Sequence, residues 1–487
     1  MAIDLNLDNA PVDPNDPQYA PMLANLQGNI LKSHGRSYAA HLFLTFGDDA
    51  EAARRWINDF AERYVTDALR QHQEADEFIA NRNSRRVFGG FYLSATGYQS
   101  LEFDNSGDFI EDNAIDNAVE ISFRDGMAAG ASELNDPPPE EWAEPFRGGR
   151  IHALVLLADD DAKIVDDISA RVKKSLEKIA PQVFVQRGEV LRENGKPIEH
   201  FGFRDCISQP LFYRSDIEKE REKGFDRWDS AAPLKIALVK DILAKDEDCF
   251  GSYLVYRKLE QNVKQFKETE RRLAGADCLN LADGDYERAG ALIVGRFRNG
   301  VPLELSATHD GDDRLIDYNN FNYIGADDQP TVGKCPYHAH IRRMTPRGET
   351  GLHNGKFKDE ELRHRLVRRG ITYDERERDI GGALLADELP EKDVGLLFMC
   401  FQSSIPKQFG FVQARWANNS GFFEKSEVGI DPISGQNTDL ADFEYQKWYS
   451  KWNETAEPPK SFDFKTFVKL KGGEYFFAPS LPFLRGL

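Results

Sequence analysis

His338 and His340 are the only close pair among the ten histidines of the 487-residue chain, in the stretch CPYHAHIRRMTPRG over 335–348. Imidazole is a common metal ligand, so the question is which metal and with what help. On a strand the two rings would share a face and could chelate one ion, whereas on a helix residues i and i+2 point apart. No cysteine or carboxylate stands at a spacing that completes a tetrahedral zinc site. A single histidine ligand is then the more plausible metal chemistry, and its usual form is the proximal imidazole of a haem. Histidines that only hydrogen-bond, at the surface or inside, remain the plainer alternative.

A haem brings two propionate carboxylates and needs cations near it. Arg342, Arg343 and Arg347 follow His340 directly. A second basic cluster, RHRLVRRGITY over 363–373, is interrupted by Leu366, Val367 and Ile371. An arginine in such apolar company needs an anionic partner or a task. A third stretch, EHFGFRDCISQP over 199–210, reads as core at Phe201 and Phe203. Gly202 lets the backbone turn there, or lets something approach it closely. Yet the carboxylate of Asp205 and the lone thiol of Cys206 sit in that same run.

The elements that must position these groups read as α+β. A strand-like run, AAHLFLTF, follows LQGNILKSHGR, and apolar spacing predicts a helix over 50–72. A strand turning into a short helix follows over 88–101. The Pro-rich 135–146 is a loop, 150–160 a strand, AKIVDDISARVKKSLEKI a helix and 182–191 a strand. Strand–helix–strand appearing twice suggests a ferredoxin-like unit. The pattern recurs with a strand at 251–259, a helix in EQNVKQFKETERRLA, a strand at 394–402, a helix in SSIPKQFGFVQARWANN and a last strand at 472–484. Two domains of similar topology are expected, 1–215 carrying the Asp205 motif and 216–487 carrying a long polar insertion, 275–390, of the kind that often bears function.

Composition limits the partners. A net charge of −20 argues against a general nucleic-acid or anionic-membrane binder. No apolar run is long enough to span a bilayer, and no secretory signal opens the chain, so a cytoplasmic setting is expected. Five scattered cysteines, never in C-x-x-C spacing, read as reduced thiols.

Together LQGNILKSHGR, HFGFRDCISQP, CPYHAHIRRMTPRG, VRRGITY, GSYLVYRKLEQNV, GLLFMCFQSSIPKQFGFVQARWANN and GGEYFFAPSLPFL resemble the dye-decolourising peroxidases along most of the chain. The resemblance implies two ferredoxin-like domains with antiparallel sheets and flanking helices, and one haem b in the C-terminal domain. It implies reduction of hydrogen peroxide and oxidation of a small organic electron donor, such as a dye or phenolic compound, through a high-valent iron-oxo haem. By the same resemblance His340 is the proximal ligand, and His338 is turned away and structural. The family's G-x-x-D-G motif falls on Gly202–Cys206, so Asp205 is the distal carboxylate and Gly202 the point where backbone closes over the porphyrin. Arg368 is the distal arginine. Leu396 and Phe398, alternating on their strand, would form the apolar distal wall; a shift by one would select Leu397 and Met399 instead.

In that reading Asp205 moves a proton between the peroxide oxygens as base and then acid, and Arg368 stabilises the charge on the departing oxygen. An unperturbed aspartate near pKa ~4 implies acid-shifted activity. Bulky donors would need an exposed aromatic relay, with Tyr373 first and Trp416 and Tyr337 behind it, each of which could equally be packing. Cys206 departs from the family's glycine; at a positive φ its Cβ would cost on the order of 1 kcal/mol. A haem-handling protein with weak peroxide turnover and a non-haem H-x-H metal protein are the alternatives, and an oligomer is possible.

Overall fold

Strands whose side chains are apolar on both faces must be covered on both faces, and that requirement shapes this molecule. The computed structural model describes residues 3–5, 11–81, 86–103, 119–148, 150–275, 278–281, 285–354, 361–377, 389–424, 428–436 and 446–487. Ten strands of these residues belong to one antiparallel sheet. Nine are β1 Tyr38–Thr45, β2 Phe88–Leu93, β3 Ala153–Asp159, β4 Gln182–Glu189, β5 Phe250–Gln261, β6 Val367–Arg368, β7 Ile371–Asp374, β8 Val394–Gln402 and β9 Val468–Ala478. The tenth is the two-residue Val239–Lys240 beside β5. Strands β2 and β3 are buried at every position.

The order along the sheet is β7-β8-β5-β9-β2-β3-β1-β4, with the two-residue β6 beside β8. Numbered within each half, the N-terminal strands run 4-1-3-2 and so do the C-terminal ones, the ferredoxin-like order expected from the repeated pattern. The halves join where β9 meets β2, a ladder of one residue pair, Phe477 with Leu93. The buried amide of Gln27 extends that seam: its Nε2 donates to Phe91 O and Pro479 O, and its Oε1 accepts from Phe91 N. At the other end β4 and β7 approach each other, with Leu191 N donating to Thr372 Oγ1, so the sheet curls toward a barrel. Helix Arg214–Arg221 spans the expected domain division at 215/216.

Helices cover the outer face. They include α1 Ala50–Tyr64, capped by Asp49, α2 Ala68–Asn81, α3 Ala162–Ser175, capped by Asp161, and α4 Val263–Ala274, capped by Asn262. The single helix expected over 50–72 is therefore two. Val65 is extended and the Thr66 backbone is bonded to Gly28 and Gly89, which withdraws it from a helical ladder. The helix expected over 403–419 winds as two wide turns, 406–410 and 412–417. The last strand stops at Ala478, because Ser480 caps a short helix, Leu481–Leu484. The 275–390 insertion contributes α5 Tyr286–Val294, ended by Gly295 at φ +94°, and α6 His340–Met344. Among the described residues no helix is long and apolar enough to cross a membrane.

Candidate active site

Helix α6 is only five residues long and opens at His340. His340 Nδ1 lies 2.9 Å from Asp431 Oδ2. Asp431 is fully buried and also accepts from Ile433 N at 2.7 Å, Ser434 N at 3.0 Å and Ser434 Oγ at 2.9 Å. Burial alone would raise this carboxyl, but His340 beside it and those donors outweigh burial and hold it below the usual carboxylate value. An ionised Asp431 accepts the Nδ1 proton, which leaves the lone pair on Nε2, the arrangement that orients a metal-binding imidazole and raises its basicity. Sequence reasoning missed Asp431, which stands 91 positions from its partner.

Asp205 is presented by a turn that a second carboxylate organises. Glu199 accepts from Phe201 N at 2.8 Å and Phe203 N at 2.9 Å, while Gly202 N donates to Glu199 O. Gly202 has φ +93°, so glycine serves the turn itself. Phe201 and Phe203 pack into a core cluster with Val263, Phe266 and Leu273 of α4. Beyond them Asp205 Oδ1 accepts from Cys206 N at 2.6 Å and from Arg368 Nη1 at 3.3 Å. Arg368 is steadied by its Nη2 donating to Ser208 O at 3.0 Å and its backbone N donating to Gln209 Oε1. Cys206 holds φ +62°, the left-handed conformation that a glycine would take at no steric cost. Cys206 is exposed where it borders the cavity, and Asp205 beside it disfavours the thiolate, so at neutral pH it is a thiol and not the reactive thiolate.

His340, Asp205 and Arg368 line one cavity of about 260 Å³, whose apolar walls include Ile341, Leu396, Phe398, Phe409 and Val412. Six arginines also border it, and they divide evenly. Arg204 pairs with Asp317 at 2.7 Å, Arg257 with Asp136 at 2.5 Å and Arg368 with Asp205. Arg296, Arg347 and Arg365 are buried, and among the described residues none lies within 4.0 Å of a carboxylate. Their donors go to neutral groups: Arg296 to Gly300 O, Tyr318 O and Asn319 Oδ1, Arg347 to Asn319 O, Phe321 O and Ser208 Oγ, Arg365 to Ala231 O and Ser230 O. Desolvation pulls Arg296 to about 9 and Arg347 and Arg365 to about 10, so all three stay charged at neutral pH. Arg347 and Arg365 flank Trp228 at 5.1 and 5.2 Å, and the buried Trp228 Nε1 has no hydrogen-bond partner.

Buried unpaired cations are costly unless an anion arrives. One imidazole lone pair, apolar walls, three unpaired arginines and an unsatisfied indole N–H fit a flat apolar macrocycle with one axial ligand and two carboxylates. The residues present therefore fit a haem. They do not fit a non-haem centre: no group of three or more His, Cys, Asp or Glu among the described residues could hold a metal ion. His338 is buried against Trp448, away from the cavity, its ring held neutral by desolvation.

The structure brings Asp205, Arg368, His340, Arg347, Leu396 and Phe398 together at the cavity and places the other expected residues elsewhere. Arg342 and Arg343 do not reach the cavity. Arg342 pairs with the buried Glu349 at 2.6 Å, and Arg343 donates to the carbonyls of Trp416 and Asn419. Arg296 and Arg365 border the cavity as well; Arg365 comes from the second basic cluster, 363–373, and Arg296 from the residues just after α5. Gly202 is absent from the cavity wall. Tyr373 is 1% exposed beneath Lys258 and Trp416 is 7% exposed, too buried to meet a bulky donor. Tyr337 is half-buried against Arg342, outside the cavity wall.

Residues 25–192 match the DyP dimeric alpha+beta barrel domain. The chain is 39% identical over 481 residues to the multifunctional dye peroxidase DyP2 of an Amycolatopsis species, covering 96% of each chain. It superimposes on the crystal structure of an Anabaena DyP-type peroxidase with a TM-score of 0.84 and 41% identity, covering 98% of this chain and 96% of that one. A dye-decolourising peroxidase complexed with 2,6-dimethoxyphenol matches with a TM-score of 0.72 and 27% identity over 95% of this chain and 98% of that one.

Proposed function

The chain belongs to the dye-decolourising peroxidase family, and from that premise we propose that one haem b sits in the cavity on His340, with Asp205 and Arg368 as the peroxide-handling pair. As a member of the family the chain is a haem peroxidase that reduces hydrogen peroxide and oxidises dyes and phenolic compounds. When bound, the haem supplies the redox chemistry that accepts oxidising equivalents from peroxide and passes them to the donor.

The side chains would do the rest. His340 Nε2 ligates the iron while Asp431 fixes the ring and keeps it electron-rich. Arg296, Arg347 and Arg365, with the Trp228 N–H, receive the haem carboxylates. Leu396, Phe398 and Phe409 exclude water from the reacting face. Asp205 takes the proton from one peroxide oxygen and returns it to the other, through Oδ2, the oxygen that neither Cys206 N nor Arg368 contacts. Arg368 stabilises negative charge on the departing oxygen, and at 3.3 Å it can turn from the carboxylate to the peroxide. The electron donor is a small organic molecule.

The observation that carries this reading is the convergence of His340, Asp205 and Arg368 on one cavity, with His340 already oriented by a buried aspartate. The test is haem titration of the parent and of His340→Ala, followed by mixing with stoichiometric peroxide. The parent is expected to develop a Soret band and change it rapidly on mixing. A parent that binds haem yet leaves its spectrum unchanged with peroxide would be a haem-handling protein instead.

A further inference from the structure

Arg369 follows Arg368 in sequence but stands outside the cavity wall. It is 6% exposed, and among the described residues no carboxylate lies within 4.0 Å of it. Each of its three guanidinium nitrogens nevertheless donates to a backbone carbonyl. Nε donates to Asn29 O at 2.6 Å, Nη2 to Ile30 O at 2.8 Å and Nη1 to Arg368 O at 2.7 Å. Its own N–H donates to Met399 O on β8. A buried cation without a counter-ion is a costly way to hold a fold together, which suggests a more specific task.

The geometry of its anchor indicates that task. Asn29 and Ile30 continue the segment whose Gln27 bridges β2 and the end of β9 at the seam of the two halves. Gly28 N donates to Thr66 O, and a Cβ on Gly28 would stand 2.6 Å from Gln71 Oε1 and 2.8 Å from Phe88, so this backbone is tightly cradled. Asn29 N donates in turn to Gln71 Oε1. By contrast, β6 is two residues long and pairs with β8 at Val367 and Arg368 only. A strand that short is held by contacts beyond its own ladder: Ser208 O and Gln209 Oε1 take the Arg368 side chain and N–H, and Arg369 takes the Arg368 carbonyl.

We propose that Arg369 is a positioning residue for Arg368: it clamps the Arg368 carbonyl to the N-terminal segment Asn29–Ile30 and so sets the distance of the Arg368 guanidinium from Asp205. The inference rests on the reading that Arg368 handles peroxide. It makes the N-terminal LQGNI segment, remote in sequence, part of the support of the peroxide site, and it distinguishes two adjacent arginines by role. Lysine cannot replace Arg369, because one ammonium cannot span three carbonyls held in a fork.

The test is a double-mutant cycle on the haem-loaded chain, with Arg369→Gln, Arg369→Lys, Arg368→Leu and Arg368→Leu/Arg369→Gln. The readouts are the second-order rate of the peroxide reaction by stopped flow, the haem content per chain and the KM for a phenolic donor. Both Arg369 variants are expected to bind haem with an unchanged donor KM and to react with peroxide roughly 10- to 100-fold more slowly, as a displaced charge-stabilising donor would. In the Arg368→Leu background the Arg369→Gln change is expected to have almost no further effect on that rate. An Arg369→Gln chain that loads haem and reacts within threefold of the parent would overturn the proposal, as would an equal loss in both backgrounds. If Arg369→Gln does not fold, Arg369→Lys carries the same comparison. If Arg368→Leu alone reacts like the parent, the reading of Arg368 fails and the proposal falls with it; if Arg368→Leu is slow while the Arg369 effects are additive, only the proposal fails.

Discussion

Two aspartates serve the same cavity, Asp205 in its wall and Asp431 behind His340, and they are held in opposite ways. Asp431 is fully buried and takes four hydrogen bonds, one from His340 and three from Ile433 and Ser434. Asp205 is about a fifth exposed, accepts one backbone N–H, and meets its arginine at 3.3 Å. The first arrangement resists both movement and protonation, which suits a group that orients a ligand. The second leaves a carboxylate able to exchange a proton and an arginine able to turn toward a developing charge. A third carboxylate completes the contrast. Glu474 is also buried, but its partners among the described residues are two backbone donors, Met127 N and Tyr475 N, and no cation; burial pushes it up to about 7. Burial alone therefore does not set the charge of these two carboxylates; His340 and the added donors hold Asp431 ionised where Glu474 is raised.

The largest expected effect falls on the rigid side. His340→Ala removes the nitrogen proposed to hold the haem and is expected to weaken haem binding by more than ~100-fold, read as loss of the Soret band on titration. Next comes Arg368→Leu, which should leave haem affinity unchanged and slow the peroxide reaction by about 100- to 1,000-fold. Asp431→Asn sharpens the comparison, because it keeps the shape and removes the charge. Haem affinity should fall by roughly 10- to 100-fold, with a Soret band shifted rather than lost. An Asp431→Asn chain indistinguishable from the parent would show that the four hydrogen bonds serve folding alone.

The longer strands were legible in the sequence, whereas the short β6 and β7 lie in a stretch that reads only as a basic cluster. Strand β8 has the bounds that its apolar run announced, Val394–Gln402. Strict alternation sends Leu396 and Phe398 to the cavity and leaves Leu397 and Met399 buried on the other face. What could not be read were partners distant along the chain. Nothing in the sequence ties Asp431 to His340, Asp136 to Arg257, or Arg369 to Asn29, because a buried pair is defined by the closed sheet and not by spacing. Arg342 was misplaced for a reason that spacing does contain: on a helix it lies at i+2 from His340 and must face away. Arg343 was not excluded by that rule, and its partners, the carbonyls of Trp416 and Asn419, lie far along the chain.

Smaller effects test the third carboxylate and the odd residue of the Asp205 loop. Because the folded Glu474 binds its proton more tightly than an unfolded chain would, its contribution to stability is present below the unfolded value near 4.5 and is lost as pH rises through about 7. Glu474→Gln is therefore expected to raise thermal stability at pH 8 by on the order of 1–3 kcal/mol and to leave it nearly unchanged at pH 4. Melting curves at the two pH values check the sign. Cys206→Gly relieves a Cβ at φ +62° and should stabilise the chain by about 1 kcal/mol or less. It should change the peroxide rate by less than about tenfold, since Asp205 keeps the backbone N–H of residue 206. A gain of several orders of magnitude would show instead that the thiol impairs the site.

The central claim is that Asp205 moves the peroxide proton in a haem cavity anchored by His340. Stopped-flow absorbance of haem-loaded parent and Asp205→Asn, each mixed with stoichiometric peroxide at pH 3–8, tests it most directly. The expected result is equal haem content and a peroxide reaction slowed by about 100- to 10,000-fold in Asp205→Asn. An Asp205→Asn chain that carries full haem and reacts at the parental rate across that range would contradict the account.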